Sequence, residues 1–350
     1  MQAEWKAFLM GNGAEFDGAN CVISYGNPQA ELSVTLTGTV FADLSQHGLL
    51  AVCGKDAEAF LQGQFTNDLL HLDAGHSQLN GYCSAKGRLL ANFRLWRAAS
   101  EGILLSMPRG MLEPVTRRLQ MFVLRSAVTF EDASDRWVRL GVSGPGAADE
   151  LGAMISALPP EPDTLTRSGE FTVLRLPGAH PRFEVHGPLA AMRKLWEVIN
   201  VRGAPVGTAA WELLEILAGI PAILPETVDA FVPQMVNYQL LGGVNFKKGC
   251  YPGQEVVARM QYLGKLKRQM YLARIDTPEA PRPGDDVYSA DDPEQSAGRI
   301  VNAQPHPDGG YQVLAVVQIA SREGGSVHLG SVSGPVLEFA ELPYALAEAG

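Results

Sequence analysis

The sequence has few cysteines, and they form no pairs. Its four cysteines are Cys21, Cys53, Cys83 and Cys250, and no C-x-x-C spacing joins any two of them. This spacing excludes a disulfide scaffold and a self-contained zinc site of the common type. We therefore expect reduced thiols and no resident metal.

Long hydrophobic runs are also missing. The longest, LLEILAGIPAIL and YQVLAVVQIA, are too short or too interrupted to cross a bilayer. The N-terminal stretch MQAEWKAFLMGNGAEFDGAN mixes acidic with apolar side chains and does not form an export signal. These features predict a cytoplasmic protein without a membrane partner.

Positive charge is scarce in the chain. There are 28 Lys and Arg against 38 Asp and Glu, so the formal net charge is −10 and the isoelectric point is near 5.2. Direct binding to nucleic acid is not expected, because it needs clustered cations that release counterions. One basic cluster stands out and is suited to small anions: Lys247, Lys248, Arg259, Lys265, Lys267 and Arg268.

The pattern of apolar residues predicts an α+β fold in two parts. Residues 1–265 form a body of two interleaved α+β units, in which strands alternate with amphipathic helices. A turn at Ser100-Glu101-Gly102 separates two of its antiparallel strands. Residues 266–350 contain short strands between Pro, Gly and Asp turns, which is typical of a small antiparallel β-barrel.

A candidate reactive thiol lies in FKKGCYPGQEVVARMQYLGKLKR, residues 246–268. Gly249 and Gly253 free the backbone for a tight excursion around Cys250. The neighbouring Lys247 and Lys248, and the start of the helix predicted after Pro252-Gly253, would stabilise a thiolate. This setting favours a nucleophile, redox group or metal ligand at Cys250 over a buried packing residue, which is the interpretation we favour for the other three cysteines.

Two other features leave alternatives open. A Cys-His-Asp hydrolase would need a histidine partner, and the seven histidines show no local protease or amidase signature. Trp211, in AAWELLEILAGIPAI, offers an aromatic face for a flat heterocycle. Residue type alone favours core packing for this tryptophan.

A resemblance to a known family narrows these alternatives. FKKGCYPGQEVVAR is similar to the K-G-C-Y-x-G-Q-E signature of YgfZ-type folate-binding proteins, a branch of the family that includes the glycine-cleavage T-protein, an aminomethyltransferase. FLQGQFTNDL, CSAKGRLLANFRLW, VLRSAVTF, LLEILAGIP, FVPQMVN and LPYAL resemble the corresponding segments, so the likeness covers most of the chain. It implies a T-protein-like body around a central folate pocket, with a C-terminal β-barrel closing one side.

The resemblance also implies roles for individual residues. Cys250 would be the functional thiol, presented by a loop and helix start built from Lys248, Gly249, Tyr251, Gly253, Gln254, Glu255 and Arg259. Trp211 and His47 would contact the folate, with the His47 imidazole in place of an indole. Four further residues belong to motifs near the pocket: Asn67, Asp68, Lys86 and Arg88.

The chain departs from the T-protein pattern at two positions. Ala91-Asn92 replaces the Asp-Asp of the transferase, and His180 stands where a glutamate of a G-E-D-G turn holds the pterin ring. A neutral amide neither accepts a proton nor offsets a developing positive charge as a carboxylate does. Tetrahydrofolate-dependent aminomethyl transfer is therefore the alternative function, and a scaffold with a decayed folate pocket is a third.

The resemblance implies instead an accessory protein that binds tetrahydrofolate or a related folate and supports iron–sulfur enzymes, including those that methylthiolate tRNA. Cys250 would transiently ligate iron or sulfur, because thiolate is the preferred protein ligand in this chemistry. The partners would be folate and Fe–S assembly proteins or client enzymes, and the chain would act as a monomer. The charge of five residues of the basic cluster predicts that they guide or hold the polyglutamate tail of the folate; the alternative is that they solvate a loop or contact a partner: Lys247, Lys248, Lys265, Lys267 and Arg268.

Overall fold

The structure is a computed structural model that describes residues 1–98 and 102–346. Ser100 and Glu101 of the predicted turn and the last four residues of the predicted C-terminal part lie outside this range. Within it, helices alternate with strands up to residue 262, and strands dominate afterwards.

The helices of the described residues are α1 (Ala3–Gly11), α2 (Pro28–Thr37), α3 (Ala57–Gln62), α4 (Arg109–Gln120), α5 (Ala147–Gly152), α6 (Leu189–Ile199), α7 (Thr208–Leu217), α8 (Gln254–Tyr262) and α9 (Ile319–Gly324). Two 3₁₀ turns cover Pro225–Thr227 and Pro233–Val236. In this part of the chain, none of the helices is long and apolar enough to cross a membrane.

The strands are β1 (Glu15–Phe16), β2 (Val22–Ser24), β3 (Val40–Asp43), β4 (His47–Cys53), β5 (Ser77–Cys83), β6 (Leu89–Ala98), β7 (Gly102–Pro108), β8 (Thr129–Asp132), β9 (Val138–Ser143), β10 (Leu165–Ser168), β11 (Phe171–Leu176), β12 (Arg182–Gly187), β13 (Ala204–Pro205), β14 (Arg268–Ile275), β15 (Asp286–Ser289), β16 (Asp292–Pro305), β17 (Tyr311–Gln318), β18 (Val327–Leu329) and β19 (Leu337–Ala340). Apart from the β1–β2 hairpin, they form three large sheets.

The first large sheet has the strand order β10-β11-β12-β9-β3-β13. Its pairs are antiparallel except for β13 and β3, which run parallel. Helices α1, α5 and α6 cover one face, and α6 buries residues such as Met192, Leu195 and Ile199 at helical spacing. This apolar stripe holds α6 against the sheet.

The second large sheet has the order β5-β6-β7-β4-β8 and is antiparallel throughout. Helices α3 and α4 cover its outer face, with Phe60 and Leu61 of α3 and Met111 and Val115 of α4 buried in one cluster. In this sheet, β4 leads through a short turn at Gly54 into α3.

The two sheets meet around α7. Trp96 and Leu104 of the second sheet and Leu174 of the first share a buried cluster with Trp211 and Leu213 of α7. Burial of such a cluster provides most of the stability of this junction. Both sheets therefore fix the position and rotation of α7, and with it the polar residues on its other side.

The third large sheet is C-terminal, antiparallel, and ordered β18-β15-β16-β17-β14-β19. A bulge between Ile300 and Asn302 bends β16, and a bridge between His328 and Val336 brings the two edges together. The sheet is a curled half-barrel. The predicted α+β fold with an antiparallel all-β C-terminal part is confirmed, and the domain boundary at residue 265 stays a prediction.

Candidate functional site

A cavity of about 400 Å³ lies where the three large sheets and α7 meet. The second sheet contributes residues 92–94 and 106–108, and the C-terminal sheet contributes residues 302–304. Arg182 and Glu184 of β12 supply charged groups on the wall. The cavity has the size of a typical small-molecule site.

Glu184 is a buried carboxylate on this wall. Its Oε1 lies 2.8 Å from Nε2 of His186, and Arg139 and His47 place positive charge nearby. Burial would raise the pKa of Glu184, but the hydrogen bond with His186 and these charges outweigh it and lower the pKa to about 2. Glu184 is therefore an ionised hydrogen-bond acceptor at neutral pH.

His47, predicted as a folate contact, does line the cavity. Its Nε2 lies 3.2 Å from Oε1 of Glu212 on α7, and Gln46 Nε2 donates to the same oxygen at 3.2 Å. Burial would lower the pKa of His47, but the hydrogen bond and charge of Glu212 outweigh it and raise the pKa. The pair ties α7 to the start of β4.

Trp211, the second predicted folate contact, is enclosed by protein. Its indole is 1 % exposed, and a Cβ added at Gly141 would lie 2.5 Å from the ring. The guanidinium of Arg182 lies 5.6 Å from the ring centroid, and its Nη2 donates to Glu215 Oε2 at 3.3 Å. In the described part of the chain Arg182 lines the cavity and Trp211 does not, so the indole supports Arg182 through a cation–π contact.

Asn92 and His180 were the two departures from the T-protein pattern. Asn92 lines the cavity, where its Nδ2 donates to the Pro221 carbonyl at 2.6 Å and its Oδ1 accepts from Ile223 N at 2.8 Å. His180 is exposed and is not among the described lining residues. The amide of Asn92 therefore fixes the loop after α7, while His180 takes no part in the cavity.

The wall carries polar atoms that lack a partner within the described residues. They are Gln46 Oε1, Thr208 Oγ1 and both Nε and Nη1 of Arg182. Buried polar groups without partners are unfavourable, so a ligand that satisfies them is stabilised. Apolar side chains such as Phe93 and Ile216 cover much of the remaining wall. The residues present fit a flat heteroaromatic ligand with polar edges, such as a reduced folate.

The motif around Cys250 is anchored by Lys248. The ammonium Nζ donates to the carbonyls of Gln62 at 2.7 Å, Phe65 at 2.6 Å and Asn67 at 2.9 Å, all at the end of α3 or just after it. Burial lowers the pKa of Lys248 to about 8. Lys248 therefore satisfies carbonyls that the helix end leaves unpaired and fixes the loop that carries the thiol.

This anchor predicts a measurable loss of stability. Lys248→Met keeps the aliphatic stem but removes three hydrogen bonds, so we expect the free energy of unfolding to fall by about 2 kcal/mol in a urea titration. Lys247→Met is the matched control, because Lys247 is exposed. Equal stability of the two variants would contradict the anchoring role.

Two glycines join the motif to the Lys86-Gly87-Arg88 turn. Gly253 has a φ of 79° and Gly87 a φ of 69°, which favours glycine at both positions. A Cβ at Gly253 would lie 2.4 Å from the Ser84 carbonyl oxygen and 2.6 Å from the Gly87 Cα. Lys86 and Arg88 are therefore held beside the start of α8.

Asn67 and Asp68 fix the segment on which Lys248 is anchored. Asn67 Nδ2 donates to the Leu79 carbonyl at 3.0 Å, and Asp68 Oδ1 accepts from Gln62 Nε2 at 2.9 Å. These contacts lie within the protein and give both residues a supporting role for the loop.

The remaining motif residues lie on the loop and on α8. Gln254 Nε2 lies 3.5 Å from the Lys248 carbonyl, so it closes the loop weakly, and Tyr251 is buried. Glu255 and Arg259 form an exposed pair at 3.3 Å one turn apart on α8. Such a pair contributes only tenths of a kilocalorie per mole.

Cys250 is exposed on the loop next to Gly249. None of residues 247–259 lines the cavity, so the structure separates the thiol from it. Across residues 1–98 and 102–346, no group of three or more His, Cys, Asp and Glu side chains could hold a metal ion.

Comparison with known proteins identifies the family. Residues 11–173 match the model of the GCVT N-terminal domain. The tRNA-modifying protein YgfZ of Shigella boydii serotype 4 (strain Sb227) is 31% identical over 322 residues, which cover 92% of this chain and 97% of that protein. The YgfZ protein of Edwardsiella ictaluri (strain 93-146) is 34% identical over 272 residues, covering 76% and 80%. The chain belongs to the YgfZ family.

A solved structure shows the fold that this YgfZ-family chain shares. Glycine cleavage system aminomethyltransferase T from Bartonella henselae superposes with a TM-score of 0.79 at 20% identity, over 96% of each chain. The T-protein-like fold implied by the sequence motifs is therefore confirmed.

The sequence interpretation missed the charged groups in and beside the cavity. Arg182, Glu184 and His186 alternate along RFEVHG, and Glu212 and Glu215 lie three residues apart on α7. Such alternation normally marks a solvent-facing side of a strand. The sequence did contain a signal. Charged side chains that alternate along a short strand between two apolar segments need polar partners when both faces of the sheet are covered.

Proposed function

We propose that this YgfZ-family protein binds a reduced folate in the cavity and uses the Cys250 thiol to support Fe–S enzymes that modify tRNA. The observation that carries the proposal is the cavity itself, whose unpartnered polar atoms and ionised Glu184 match a pterin with polar edges. The relatives called tRNA-modifying protein YgfZ support the tRNA connection. The protein works in the cytoplasm and does not touch tRNA itself, since its net charge is −10.

Several cavity residues have a role in holding the folate. The carboxylate of Glu184 accepts hydrogen bonds from the N–H groups of the pterin, and Gln46 Oε1 accepts another. The His47–Glu212 pair keeps α7 in place beside the ring. The folate, when bound, supplies a carrier for one-carbon units.

The thiol acts away from the folate. Because Cys250 is exposed and its loop does not line the cavity, its reaction partner is a second protein. A thiolate there ligates iron of an Fe–S assembly protein or of a client enzyme, or it accepts the outer sulfur of a persulfide on that partner, whose inner sulfur leaves as a thiolate. One cysteine supplies one ligand, so the remaining ligands belong to that partner.

Aminomethyl transfer is disfavoured by Asn92. Both ends of its amide are hydrogen-bonded to backbone groups of the loop after α7, at 2.6 Å and 2.8 Å. It therefore offers neither a free base nor a negative charge to a reacting carbon.

Calorimetric titration with monoglutamyl tetrahydrofolate tests the folate site. Ser106 lies on the cavity wall and pairs across the strands with Arg94, so a Phe side chain there enters the cavity. We expect Ser106→Phe to weaken binding at least about tenfold, because a filled volume excludes the ring. Ser33→Phe, on the exposed side of α2, is the control. If Ser106→Phe binds tetrahydrofolate as tightly as wild type, the folate does not bind in this cavity.

A further inference from the structure

Helix α8 follows the Cys250 loop and buries only one of its side chains fully. That side chain is Val257, although a surface helix normally packs an apolar stripe of several residues against the protein. Tyr262, the last residue of α8, is 66 % exposed, and Leu263 directly after it is 85 % exposed. Large apolar side chains that lie together in water are typical of an interaction surface.

The Cys250 loop and α8 form one continuous surface, because contacts join them at both ends. At the end of α8, the ring of Phe246 lies edge to face with the ring of Tyr262, with the centroids 6.0 Å apart. At the start of the helix, the backbone N–H of Gln254 donates to the Tyr251 carbonyl at 3.2 Å. The loop therefore passes from the end of α8 to its start, and the exposed Cys250 lies near its first turn.

The exposed face of α8 is opposite Val257. Glu255, Arg259 and Tyr262 follow one another at spacings of four and three residues, which places them on one side of a helix. All three are exposed, as is the segment that follows the helix. We call the exposed residues between positions 247 and 267 the α8 strip.

The α8 strip is basic in an acidic chain. It has one carboxylate, Glu255, while the formal net charge of the chain is −10. Its four cations are Lys247, Arg259, Lys265 and Lys267. Arg259 pairs with Glu255 at 3.3 Å, but in the part of the chain that the structure describes no ion pair involves the three lysines. Their charge is therefore free to attract a negatively charged surface.

The position of the strip favours contact with a partner over contact with a folate tail. Within the described residues, none of residues 247–267 lines the cavity. A carboxylate tail would pair with the cations alone, whereas a protein surface would also cover Tyr262 and Leu263. Tyrosine is enriched at protein interfaces for this reason, because it offers a large apolar body with a polar end.

We propose that the α8 strip is the docking surface for a partner protein that presents carboxylates around an apolar contact. The partner carries the iron that Cys250 ligates or the persulfide whose outer sulfur it accepts. The inference rests on the proposed function, in which Cys250 reacts with a second protein, and adds the surface and the charge of that protein. Because the rest of the chain is acidic and repels such a partner, the strip orients it with its reactive group toward the thiol.

Two synthetic peptides serve as probes of this surface on the purified full chain. Each carries one cysteine as a mixed disulfide with thionitrobenzoate, flanked by Glu and Leu in one peptide and by Lys and Leu in the other. The Cys250 thiolate attacks the peptide sulfur, a disulfide joins protein and peptide, and coloured thionitrobenzoate leaves with the electron pair. We expect the acidic peptide to react about tenfold faster than the basic one at low salt, and the ratio to approach one as added salt screens the charges.

Lys265→Glu/Lys267→Glu should remove this preference, because it reverses the charge of two cations of the strip. Lys194→Glu/Arg282→Glu is the matched control, since it makes the same change in net charge at exposed positions outside the strip and should keep the preference. Cys250→Ser measures the background reaction of the other cysteines. Equal rates of the two peptides with the wild type, or a preference that survives the reversal, would overturn the docking surface.

The same surface is tested in a deletion strain through the amount of methylthiolated tRNA. We expect Lys265→Glu/Lys267→Glu and Tyr262→Ser/Leu263→Ser each to restore about fivefold less of the modification than wild type, with unchanged affinity for tetrahydrofolate. If both variants restore it fully and Cys250→Ser does not, the docking surface is overturned and the proposed function stands. If Cys250→Ser also restores it, the proposed function itself fails.

Two other occupants of the strip would be revealed by the same reversal. In a filter-binding assay, tRNA bound by the wild type and not by Lys265→Glu/Lys267→Glu would make the strip an RNA surface. A wild-type dimer in sedimentation that the reversal dissociates would make the occupant a second copy of this chain. Either result would overturn the partner protein.

Discussion

Cys250→Ser will leave the protein folded and able to bind folate, yet cells that rely on this variant will have no more tRNA methylthiolation than cells without the protein. The thiol is exposed, so its replacement by a hydroxyl of similar size removes no packing. What it does remove is a soft ligand and nucleophile, because serine neither binds iron or sulfur as thiolate does nor ionises near neutral pH. The expected effect is therefore a complete loss of function without a loss of stability.

The measurement is the amount of methylthiolated tRNA in a deletion strain that expresses each variant, with protein level and tetrahydrofolate affinity determined in parallel. Cys21→Ser is the matched control and should restore the modification, since Cys21 is half-buried at the β2 hairpin and lies outside the motif. Full rescue by Cys250→Ser would show that the thiol has no chemical role.

The overall fold was predictable from the sequence because it depends on local patterns. Apolar residues at helical spacing on α4 and α6, and alternating residues on β5 to β7, specify each element before any tertiary contact is known. The short strand β18 and the helix α9 were not predicted. Three residues of β18 give too few positions for a period to be recognised, and its place at the sheet edge comes from pairing with β15.

The motif was predictable as a site, but the direction of its side chains was not. Lys248 and Cys250 are two residues apart, and the sequence suggested a lysine that stabilises the thiolate. In the structure the ammonium of Lys248 is turned inward to three carbonyls while Cys250 is exposed. Which of the two side chains turns inward depends on where the end of α3 lies in the folded protein. No local sequence pattern specifies that position.

The cavity was the least predictable part, because its walls come from strands far apart in the chain. Trp211 illustrates this: its aromatic face suggested a stacking surface, and the fold places Arg182 on that face. Glu184 alternates with apolar residues as in an ordinary strand, yet it lies buried, hydrogen-bonded to His186 and near the charge of Arg139. Only the packing of the first sheet against α7 shows which polar residues face the cavity.

Asn92→Asp will not convert this protein into an aminomethyltransferase, and it will destabilise the fold by about 2 kcal/mol at neutral pH. Asn92 is 6 % exposed, and its Nδ2 donates to the Pro221 carbonyl. An ionised aspartate would place a carboxylate oxygen against that carbonyl oxygen, with one acceptor facing another. The carboxylate that the transferase pattern has at this position is therefore incompatible with the loop after α7 as it is built here.

The pH dependence of this loss follows from the same geometry. A buried aspartate in this position has a pKa above its value of about 3.9 in the unfolded chain, because only the protonated acid donates to the Pro221 carbonyl. The variant should therefore approach wild-type stability below about pH 4 and lose stability as the pH rises through the folded-state pKa. Unfolding free energies of both proteins between about pH 4 and pH 8 measure this difference.

Asn12→Asp is the matched control, since Asn12 Nδ2 also donates to a backbone carbonyl, that of Phe8, but the residue is exposed. Water solvates the new charge there, so its stability should stay close to wild type across the same range. Transfer is assayed as methylene-tetrahydrofolate formed from an aminomethyl donor. The contrary outcome is an Asn92→Asp protein that is as stable as wild type and forms this product. It would show that the cavity is a transferase site lacking a single carboxylate, and that the protein is an enzyme rather than an accessory protein.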